Sequence, residues 1–316
     1  MTRDERQDIY RRLCAEGREA ALFMQPWWLD ATGLWDVALA YRNKQLVGAM
    51  PYAPGRKWGI STIGMPRLTH HMRIWTDRPP DISAHKWLTR EKQILWALVD
   101  ALPAFGFFSL VFDSDSFDNW LPFHWKGFRQ ELRYTFVIDR ASPDDLDQQI
   151  NRNLRRNLRE AGASVTVRET DDLKGCFNLF KITHARQRVA LPFTLDDLSR
   201  IDRGVREHHA GRLLGAYDRD GRLLSAAYML WDTDRAYYFL AGDSDAGREA
   251  SAGLLLCREA LRIAFEERGV KSFDFCGSML ESVTEIRRQF GAHAVPLMKI
   301  FKAGYKWLDA FYALVR

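Results

Sequence analysis

The sequence predicts a mixed α/β protein built from two similar domains. Its 316 residues exceed the size of most single compact cores, and 47% hydrophobic with 28% charged residues is the composition of a chain that folds throughout. Strand-like and helix-like segments alternate along the chain, and the same order of segments occurs twice. We therefore expect two domains, each with a mixed sheet flanked by helices.

The repeated order begins with two β-hairpins. AYRNKQLVGAMPY (residues 40–52) and AYDRDGRLLSAAY (216–228) each consist of an apolar strand end, a polar turn and a second apolar strand. Farther along, AFGFFSLVFD (104–113) and ERGVKSFDFC (267–276) each pass from a glycine turn into a buried strand. Each copy is therefore a hairpin, a further strand, a helix, a glycine turn and a buried strand.

The two copies differ in the connection that precedes the helix. Leu46 and Leu223 are 177 positions apart, whereas Ser109 and Ser272 are 163 apart, so the first copy holds 14 extra residues. The second copy passes through SDAGREASAG (244–253) directly into its helix, which predicts a tight strand-to-helix turn. Division of labour between the domains and simple drift in loop length both explain the difference.

One stretch is apolar enough to require a membrane check. ILWALVDALPAFGFFSLVF (94–112) approaches the ~20 residues that span a bilayer, but Asp100, Pro103 and Gly106 interrupt it. We predict a helix, a turn and a buried strand instead, and no transmembrane segment. The charged opening MTRDERQDIYRRL and four widely spaced cysteines without a zinc pattern predict a cytoplasmic protein with reduced thiols and no metal.

The positive net charge suits an anionic ligand. A charge of +5 and a pI of about 9.0 would fit a nucleotide, coenzyme A or tRNA, and would equally fit a protein with no such partner. NRNLRRNLREAG (151–162) concentrates arginines on a predicted helix, which is either a ligand-binding surface or a solvated helix face.

The stretch GREASAG (247–253) has the features of a phosphate-binding turn. A helix that starts directly after a strand presents unpaired backbone N–H groups and a positive dipole end. Arg248 could bind an oxyanion through two hydrogen bonds, and the amides of Ser251, Ala252 and Gly253 could face the same anion. The other interpretation is the ordinary start of a packed helix.

Several motifs together resemble those of a known family. Arg-x-x-Ser-Ala-Gly at 248–253 resembles the Arg/Gln-x-x-Gly-x-Gly/Ala pyrophosphate loop of GNAT acyltransferases, and the duplicated layout resembles the FemAB type, in which two GNAT domains are fused. Four further motifs resemble those of the FemAB-like acetyltransferase group: QPWWLDA (25–31), NRNLRRNLREAG (151–162), THARQ (183–187) and FDFCGSMLESVTEIRRQFGA (273–292). Cys276 replaces the usual glutamate, and Ser251 replaces a glycine, which favours a donor other than coenzyme A.

The resemblance implies an acceptor domain, a donor domain and an acyl-transfer reaction. We expect an N-terminal GNAT-like domain over 1–140 on the acceptor side, a second over 141–302 on the donor side, and a segment 303–316 that packs back on the first. The donor would be acyl-CoA or aminoacyl-tRNA, and the acceptor the amino group of a sugar, peptide or small metabolite, for example in cell-envelope or polysaccharide biosynthesis. Neither DNA nor a metal is expected.

Two alternatives to this reaction remain open. One is an aminoacyl-tRNA-dependent transferase of the FemX type that acts on a cell-wall precursor. The other is a non-catalytic descendant that binds a nucleotide-linked ligand or tRNA. In the catalytic case we expect direct attack by the amine, because no serine or cysteine lies in a recognisable nucleophile pattern.

Three residues are candidates for catalysis. The resemblance to the FemAB family places Lys299 at a lysine on the last strand of the second domain. As a cation it could stabilise oxyanion charge or hold an anionic donor; otherwise it is a solvated lysine on an edge strand. Asp274, inside an apolar alternation, either lines a cleft or accepts structural hydrogen bonds. Asp113 could bind or deprotonate the acceptor amine, or only shape a turn.

Four further residues are candidates for substrate binding. Asp115 could contact the acceptor amine together with Asp113, and the resemblance implies that Arg186 and Gln187 contact a phosphate. Each of these has an ordinary alternative as a turn or surface residue. Trp28 could stack on a sugar ring, although a tryptophan at such spacing more often belongs to the core.

Overall fold

The computed structural model describes residues 1–139, 150, 152–277 and 279–304. The chain divides into two compact units, which we call unit 1 (Met1–Arg133 with the chain from Pro296) and unit 2 (Tyr134–Val295). The boundary that we place at 140/141 from the sequence stays a prediction. So does the packing of 303–316, because residues 305–316 lie outside the described part of the chain.

Helices and strands alternate in both units, as a mixed α/β protein requires. The α-helices are α1 (Arg3–Ala15), α2 (Pro26–Thr32), α3 (Ala84–Asp100), α4 (Leu121–Trp125), α5 (Arg152–Gly162), α6 (Leu173–Arg186), α7 (Leu195–Glu207), α8 (Asp245–Glu249), α9 (Ala252–Arg262) and α10 (Glu281–Gln289). The strands are β1 (Asp36–Arg42), β2 (Gln45–Lys57), β3 (Ile60–Gly64), β4 (Trp75–Thr76), β5 (Phe107–Phe112), β6 (Arg129–Asp139), β7 (Thr166–Glu169), β8 (Gly211–Tyr217), β9 (Leu223–Trp231), β10 (Arg235–Asp243), β11 (Ser272–Asp274) and β12 (His293–Ala303).

The sheet of unit 1 contains the first predicted hairpin. Its strand order is β1-β2-β3-β5-β12, with β4 paired to β2, and β1 and β2 are antiparallel as predicted. Strand β3 is parallel to β5, and β12 is antiparallel to it. Phe108, Leu110 and Phe112 alternate into the core at 0% exposure, because successive side chains of a strand point to opposite faces.

The apolar stretch 94–112 forms a helix, a turn and a strand, as predicted. Helix α3 ends at Asp100, and Gly106 precedes β5. Ile94, Leu95 and Leu98 are buried, which is the spacing of a helix with one core face. Among the helices of the described residues, none is both long and apolar enough to cross a membrane.

The sheet of unit 2 contains the second predicted hairpin. Its strand order is β6-β11-β10-β9-β8-β7, and β8 and β9 are antiparallel as predicted. Strand β10 is parallel to β11 and antiparallel to β9, which makes the sheet mixed. Ala252, Leu256 and Ala260 bury one face of α9 in the core of this unit. The predicted mixed α/β class is therefore confirmed.

Candidate active site

The turn between β10 and α9 differs from the single tight turn that the sequence predicts. The hydroxyl of Ser244 accepts a hydrogen bond from the Gly247 N–H (3.0 Å), and this cap starts the additional short helix α8, which includes Arg248. Ser251 then adopts a left-handed conformation (φ 54°, ψ 28°) and precedes α9. GREASAG thus contains the end of one helix, a left-handed residue and the start of another.

The first turn of α9 lies against a carboxylate of the protein itself. The Asp243 side chain packs so close to Gly253 that a Cβ atom there would collide with Asp243 Oδ1. A negative charge beside the first turn of a helix is favourable, because the helix dipole is positive there. The position that we predict for a phosphate is therefore already next to the carboxylate of Asp243.

Arg248 and Arg186 are the cations of this turn. Arg248 is exposed, and its guanidinium makes no hydrogen bond or ion pair within the described part of the chain. Arg186, at the end of α6, donates hydrogen bonds to the Asp243 carbonyl and the Thr183 hydroxyl, both at 3.3 Å, and its Nη1 is 3.8 Å from the Asp245 carboxylate. The structure brings Arg186 to the turn that carries Arg248, while Gln187 is an exposed residue after α6.

Asp274 is completely buried at the end of β11. Its Oδ1 accepts hydrogen bonds from the Thr135 hydroxyl and, at 2.8 Å, from the Cys276 N–H. The Thr135 oxygen in turn accepts a hydrogen bond from the Gly277 N–H at 2.9 Å. Asp274 therefore holds the chain that follows β11, where Cys276 has a left-handed backbone (φ 54°).

The same environment keeps the Cys276 thiol protonated. Burial raises the pKa of this thiol well above its usual value of 9.0, and the nearby Asp274 raises it further, while Arg287 acts in the opposite direction. A protonated thiol is a poor nucleophile. Cys276, which stands at the glutamate position of the pattern that the sequence resembles, thus supplies neither a charged nor a nucleophilic group.

Arg287 is a buried cation that the sequence reasoning missed. It is 9% exposed, donates through Nη2 to the carbonyls of Phe275 (2.9 Å) and Gly277 (3.4 Å), and its guanidinium lies over the rings of Phe275 and Phe136. Burial lowers its pKa, whereas Cys276 and Asp274 raise it. The sequence signal would have been an arginine on the apolar face of α10 within EIRRQF.

An open, mostly apolar cleft lies on the surface of unit 2. Its volume is about 210 Å³, which is enough for a small acyl group or side chain. The lining residues come from β6, the chain before α10, α10 itself and β12, namely Tyr134, Phe136, Met279, Thr284 and Ala294.

In unit 1, Asp113 and Asp115 are joined by Arg73. The Arg73 Nε donates to Asp113 Oδ2 (3.2 Å) and its Nη2 to Asp115 Oδ2 (3.3 Å). Asp113 is 3% exposed, and its Oδ1 also accepts a hydrogen bond from the Ser116 hydroxyl (2.7 Å). His71 Nδ1 is 3.8 Å from Asp113 Oδ2. Asp113 is thus engaged within the protein, and Asp115 is the more exposed carboxylate.

Glu19 adds a buried carboxyl to this part of unit 1. Burial raises its pKa, the Ala21 N–H and Arg73 lower it, and Asp113 raises it. The folded protein therefore keeps the Glu19 carboxyl proton at pH values where the unfolded chain has lost it. The stability that the protonated Glu19 contributes is fully present below the unfolded pKa. It is lost as the pH rises through the folded pKa.

We expect Glu19→Gln to remove this pH dependence. Relative to the variant, the wild type should lose free energy of unfolding as the pH rises from the usual glutamate range toward neutrality. Urea unfolding at a series of pH values measures the difference. The matched control is Glu16→Gln, because the Glu16 side chain is 63% exposed. Parallel pH profiles for wild type and Glu19→Gln would contradict the expectation.

Lys299 lies on β12 in a largely buried position in unit 1. Its Nζ is 3.0 Å from the Glu131 carboxylate of β6 and 5.4 Å from the centre of the Phe301 ring, and its side chain is 19% exposed. Because β12 pairs with β5 and Lys299 contacts β6, the lysine does not lie on an edge strand. An oriented, partly desolvated ammonium group is suited to stabilise negative charge that develops on a carbonyl oxygen.

Trp28 belongs to the core of unit 1. It is 0% exposed, its ring contacts Phe23, and its Nε1 donates to the Thr69 hydroxyl at 3.0 Å. A ring in this position packs against neighbours of the same unit. This is the core placement that the sequence analysis keeps as the alternative to sugar stacking.

Comparison with known proteins identifies the fold. Residues 128–281 match the family model of the acetyltransferase (GNAT) domain. The fold is similar to FemX (14% identity, 95% of this chain and 96% of that chain covered, TM-score 0.65) and to L-PGS from Bacillus licheniformis (11%, 95% and 92%, 0.54). It is also similar to a tandem GNAT protein from the clavulanic acid biosynthesis pathway (10%, 96% and 96%, 0.55).

No curated protein matches the chain by sequence. At such identities the similar structures establish the fold, and the family model establishes the kind of domain. Three of the motifs noted in the sequence lie within the matched region, namely NRNLRRNLREAG, THARQ and GREASAG; the motif at 273–292 begins within it, and QPWWLDA lies outside it. Residues 128–281 therefore match a GNAT acetyltransferase domain, and the chain as a whole has a fold similar to that of FemX and of a tandem GNAT protein.

Proposed function

We propose that the protein transfers an acetyl or aminoacyl group from an activated carrier to the amino group of a sugar, peptide or small metabolite. The observation that carries this proposal is the position of Lys299, a largely buried ammonium group oriented by Glu131 at 3.0 Å. A partly desolvated cation stabilises a developing oxyanion more strongly than the same cation would in water. Its pairing with a carboxylate fixes the ammonium group before the substrate arrives.

The reaction needs no covalent enzyme intermediate. The amine nitrogen of the acceptor attacks the acyl carbon and forms the new C–N bond, while the ester or thioester bond to the carrier breaks. The amine proton passes to the departing oxygen or sulfur, directly or through water. Lys299 stabilises the oxyanion, and binding of both substrates supplies the orientation. The protonated state of Cys276 argues against a thiolate nucleophile.

We propose that Arg248 binds a phosphate of the donor. Its guanidinium is exposed and unpaired within the described residues, and Arg186 adds a second cation to the same turn. Acyl-CoA and aminoacyl-tRNA both carry phosphates, so the turn alone suits either. The Asp243 carboxylate beside Gly253 crowds the first turn of α9 and disfavours a pyrophosphate there, which favours aminoacyl-tRNA as a second candidate donor.

The tRNA alternative gains support from the exposed face of α5. Arg152, Arg155, Arg156 and Arg159 are all exposed, and their spacing places them on one side of the helix. Arg156 lies 3.8 Å from Glu160, and both side chains are 70% exposed, so this pair neutralises little of the charge. In this case the acceptor would be an amine of a cell-wall precursor or another envelope component.

The experiment compares donors directly. Pure protein is incubated with labelled acetyl-coenzyme A or charged tRNA and a panel of amine acceptors, and the melting temperature is measured with each donor. Turnover with either donor supports the proposal and identifies the carrier. Tight binding of a donor without turnover across the panel would instead support the non-catalytic alternative.

Replacing Arg248 by alanine should weaken donor binding about tenfold, because one charge-assisted contact to a phosphate is lost. Isothermal titration of the identified donor measures the change. Arg42→Ala is the matched control, since Arg42 is an exposed arginine of β1 whose guanidinium makes no hydrogen bond or ion pair with the described residues. If the Arg248→Ala variant binds the donor as tightly as the wild type does, GREASAG is only the ordinary start of a packed helix.

A further inference from the structure

The hairpin between β2 and β3 exposes an indole ring. Trp58 is 84% exposed, the largest value among the large apolar side chains of the described residues, and its backbone is left-handed (φ 50°). Lys57 Nζ lies 4.7 Å from the ring centre, and Arg56 Nε donates to the Gly59 carbonyl at 3.1 Å. The hairpin therefore presents an exposed tryptophan whose ring is contacted by Lys57 and which follows Arg56 closely in sequence.

A second group of tryptophan and lysine side chains lies on α3 and α4. Leu88, Lys92 and Trp96 follow each other at intervals of four residues, so they share one side of α3. The Trp96 Nε1 donates to the Pro122 carbonyl at 2.9 Å and so ties α4 to α3. Trp125 is 56% exposed and packs edge-on against Trp96.

The cations of this second group lie against the rings. Lys92 Nζ is 5.1 Å from the centre of Trp96 and 6.0 Å from that of Trp125, and Lys126 Nζ is 5.6 Å from Trp96. Leu88 and Leu121, at 46% and 43% exposure, add aliphatic surface beside them. Exposed leucine, tryptophan and lysine therefore occur together on these two helices.

Local contacts join β3 to the chain that follows α3. The Ser61 hydroxyl of β3 donates to the Ala104 carbonyl (3.3 Å), and the Gly106 N–H donates to the Ser61 carbonyl (2.8 Å). Lys126 is paired with Asp100, the last residue of α3, at 2.7 Å. We call Arg56, Lys57 and Trp58, with Leu88, Lys92, Leu121 and Trp125, the tryptophan–lysine surface of unit 1.

The chemistry of this surface selects among partners. The cores of protein–protein interfaces are depleted in lysine. Exposed leucine side chains contribute little binding free energy toward RNA, because the RNA backbone is charged and its bases stack on aromatic rings. Tryptophan instead concentrates at membrane–water interfaces, and lysine and arginine are attracted to anionic headgroups. We propose that the tryptophan–lysine surface docks the protein on an anionic lipid surface, with Trp58 entering the interfacial layer.

Co-sedimentation with lipid vesicles tests the proposal independently of any transferase activity. The full chain should bind vesicles of phosphatidylcholine mixed with phosphatidylglycerol, bind phosphatidylcholine alone more weakly, and lose part of the difference at high salt. Trp58→Ser and Trp125→Ser should each lower the partition coefficient on the order of tenfold, because an interfacial indole is removed. Both replacements are at exposed positions, and melting temperatures verify folding.

Leu34→Ser is the matched control, because Leu34 is 58% exposed and lies outside the tryptophan–lysine surface. It should bind vesicles as the wild type does. Absence of vesicle binding, equal binding by Trp58→Ser and wild type, or binding of RNA without vesicles would overturn the proposal. Unchanged binding by Trp125→Ser would overturn the assignment of α3 and α4 to the surface. None of these outcomes depends on the acyl-transfer proposal.

Discussion

Replacing Lys299 by methionine should lower kcat for acyl transfer by a factor on the order of a hundred or more. Removal of one oriented group that stabilises an oxyanion typically has this effect, because its interaction is strongest in the transition state. The Lys299 ammonium is oriented by Glu131 at 3.0 Å and is largely shielded from water. The KM for the acceptor should change much less than kcat. Steady-state kinetics with the identified donor measures both.

Two further variants separate catalysis from folding. Lys302→Met removes another lysine of β12, whose Nζ bonds to the Lys126 carbonyl, and should leave kcat within about threefold of wild type. Glu131→Gln keeps the shape of the partner of Lys299 but removes its charge, and should lower kcat by less than Lys299→Met does. A Lys299→Met variant that folds and turns over at the wild-type rate would remove Lys299 from the mechanism.

Replacing Asp274 by alanine should lower the free energy of unfolding by about 3–5 kcal/mol, which is the cost of breaking a buried charged hydrogen-bond network. The carboxylate is 0% exposed, and its loss would leave the Thr135 hydroxyl and the Cys276 N–H without their acceptor. The Gly277 N–H, which bonds to Thr135, would lose its alignment as well. Urea unfolding of the variant and the wild type measures the difference.

Asp220→Ala is the control for this prediction. Asp220 is exposed, and its carboxylate is 3.5 Å from Arg222 in an exposed ion pair, so its replacement should cost less than about 0.5 kcal/mol. Thr135→Val should fall between the two, since it removes one hydroxyl and keeps the carboxylate. A loss below about 1 kcal/mol for Asp274→Ala would show that the Asp274 network contributes little to the fold.

The two large effects rest on contacts that local patterns do not encode. Lys299 and Glu131 are 168 positions apart, and Asp274 and Thr135 are 139 apart. The sequence pointed to Lys299 through resemblance and to Asp274 because an aspartate interrupts an apolar alternation. It gave no indication of either partner, because partners across strands depend on register and strand order, which a single sequence leaves open.

Arg287 and GREASAG illustrate two further reasons for incomplete prediction. An arginine on a short helix is normally exposed, and only packing against Phe136 and Phe275 makes Arg287 a buried cation. In GREASAG, the cap from Ser244 and the left-handed Ser251 divide one expected turn into two helices. Both features depend on neighbouring side chains more than on intrinsic preferences.

By itself, the sequence determined the mixed α/β class, the hairpins at 40–52 and 216–228 and the helix, turn and strand of 94–112, because hydrophobic periodicity and turn residues act within a few positions. Tertiary structure alone decided which groups meet: Glu131 beside Lys299, Thr135 and Cys276 around Asp274, and Asp243 against Gly253. The physical reason is that burial and charge pairing arise from contacts between distant segments, which exist only once the sheets have formed.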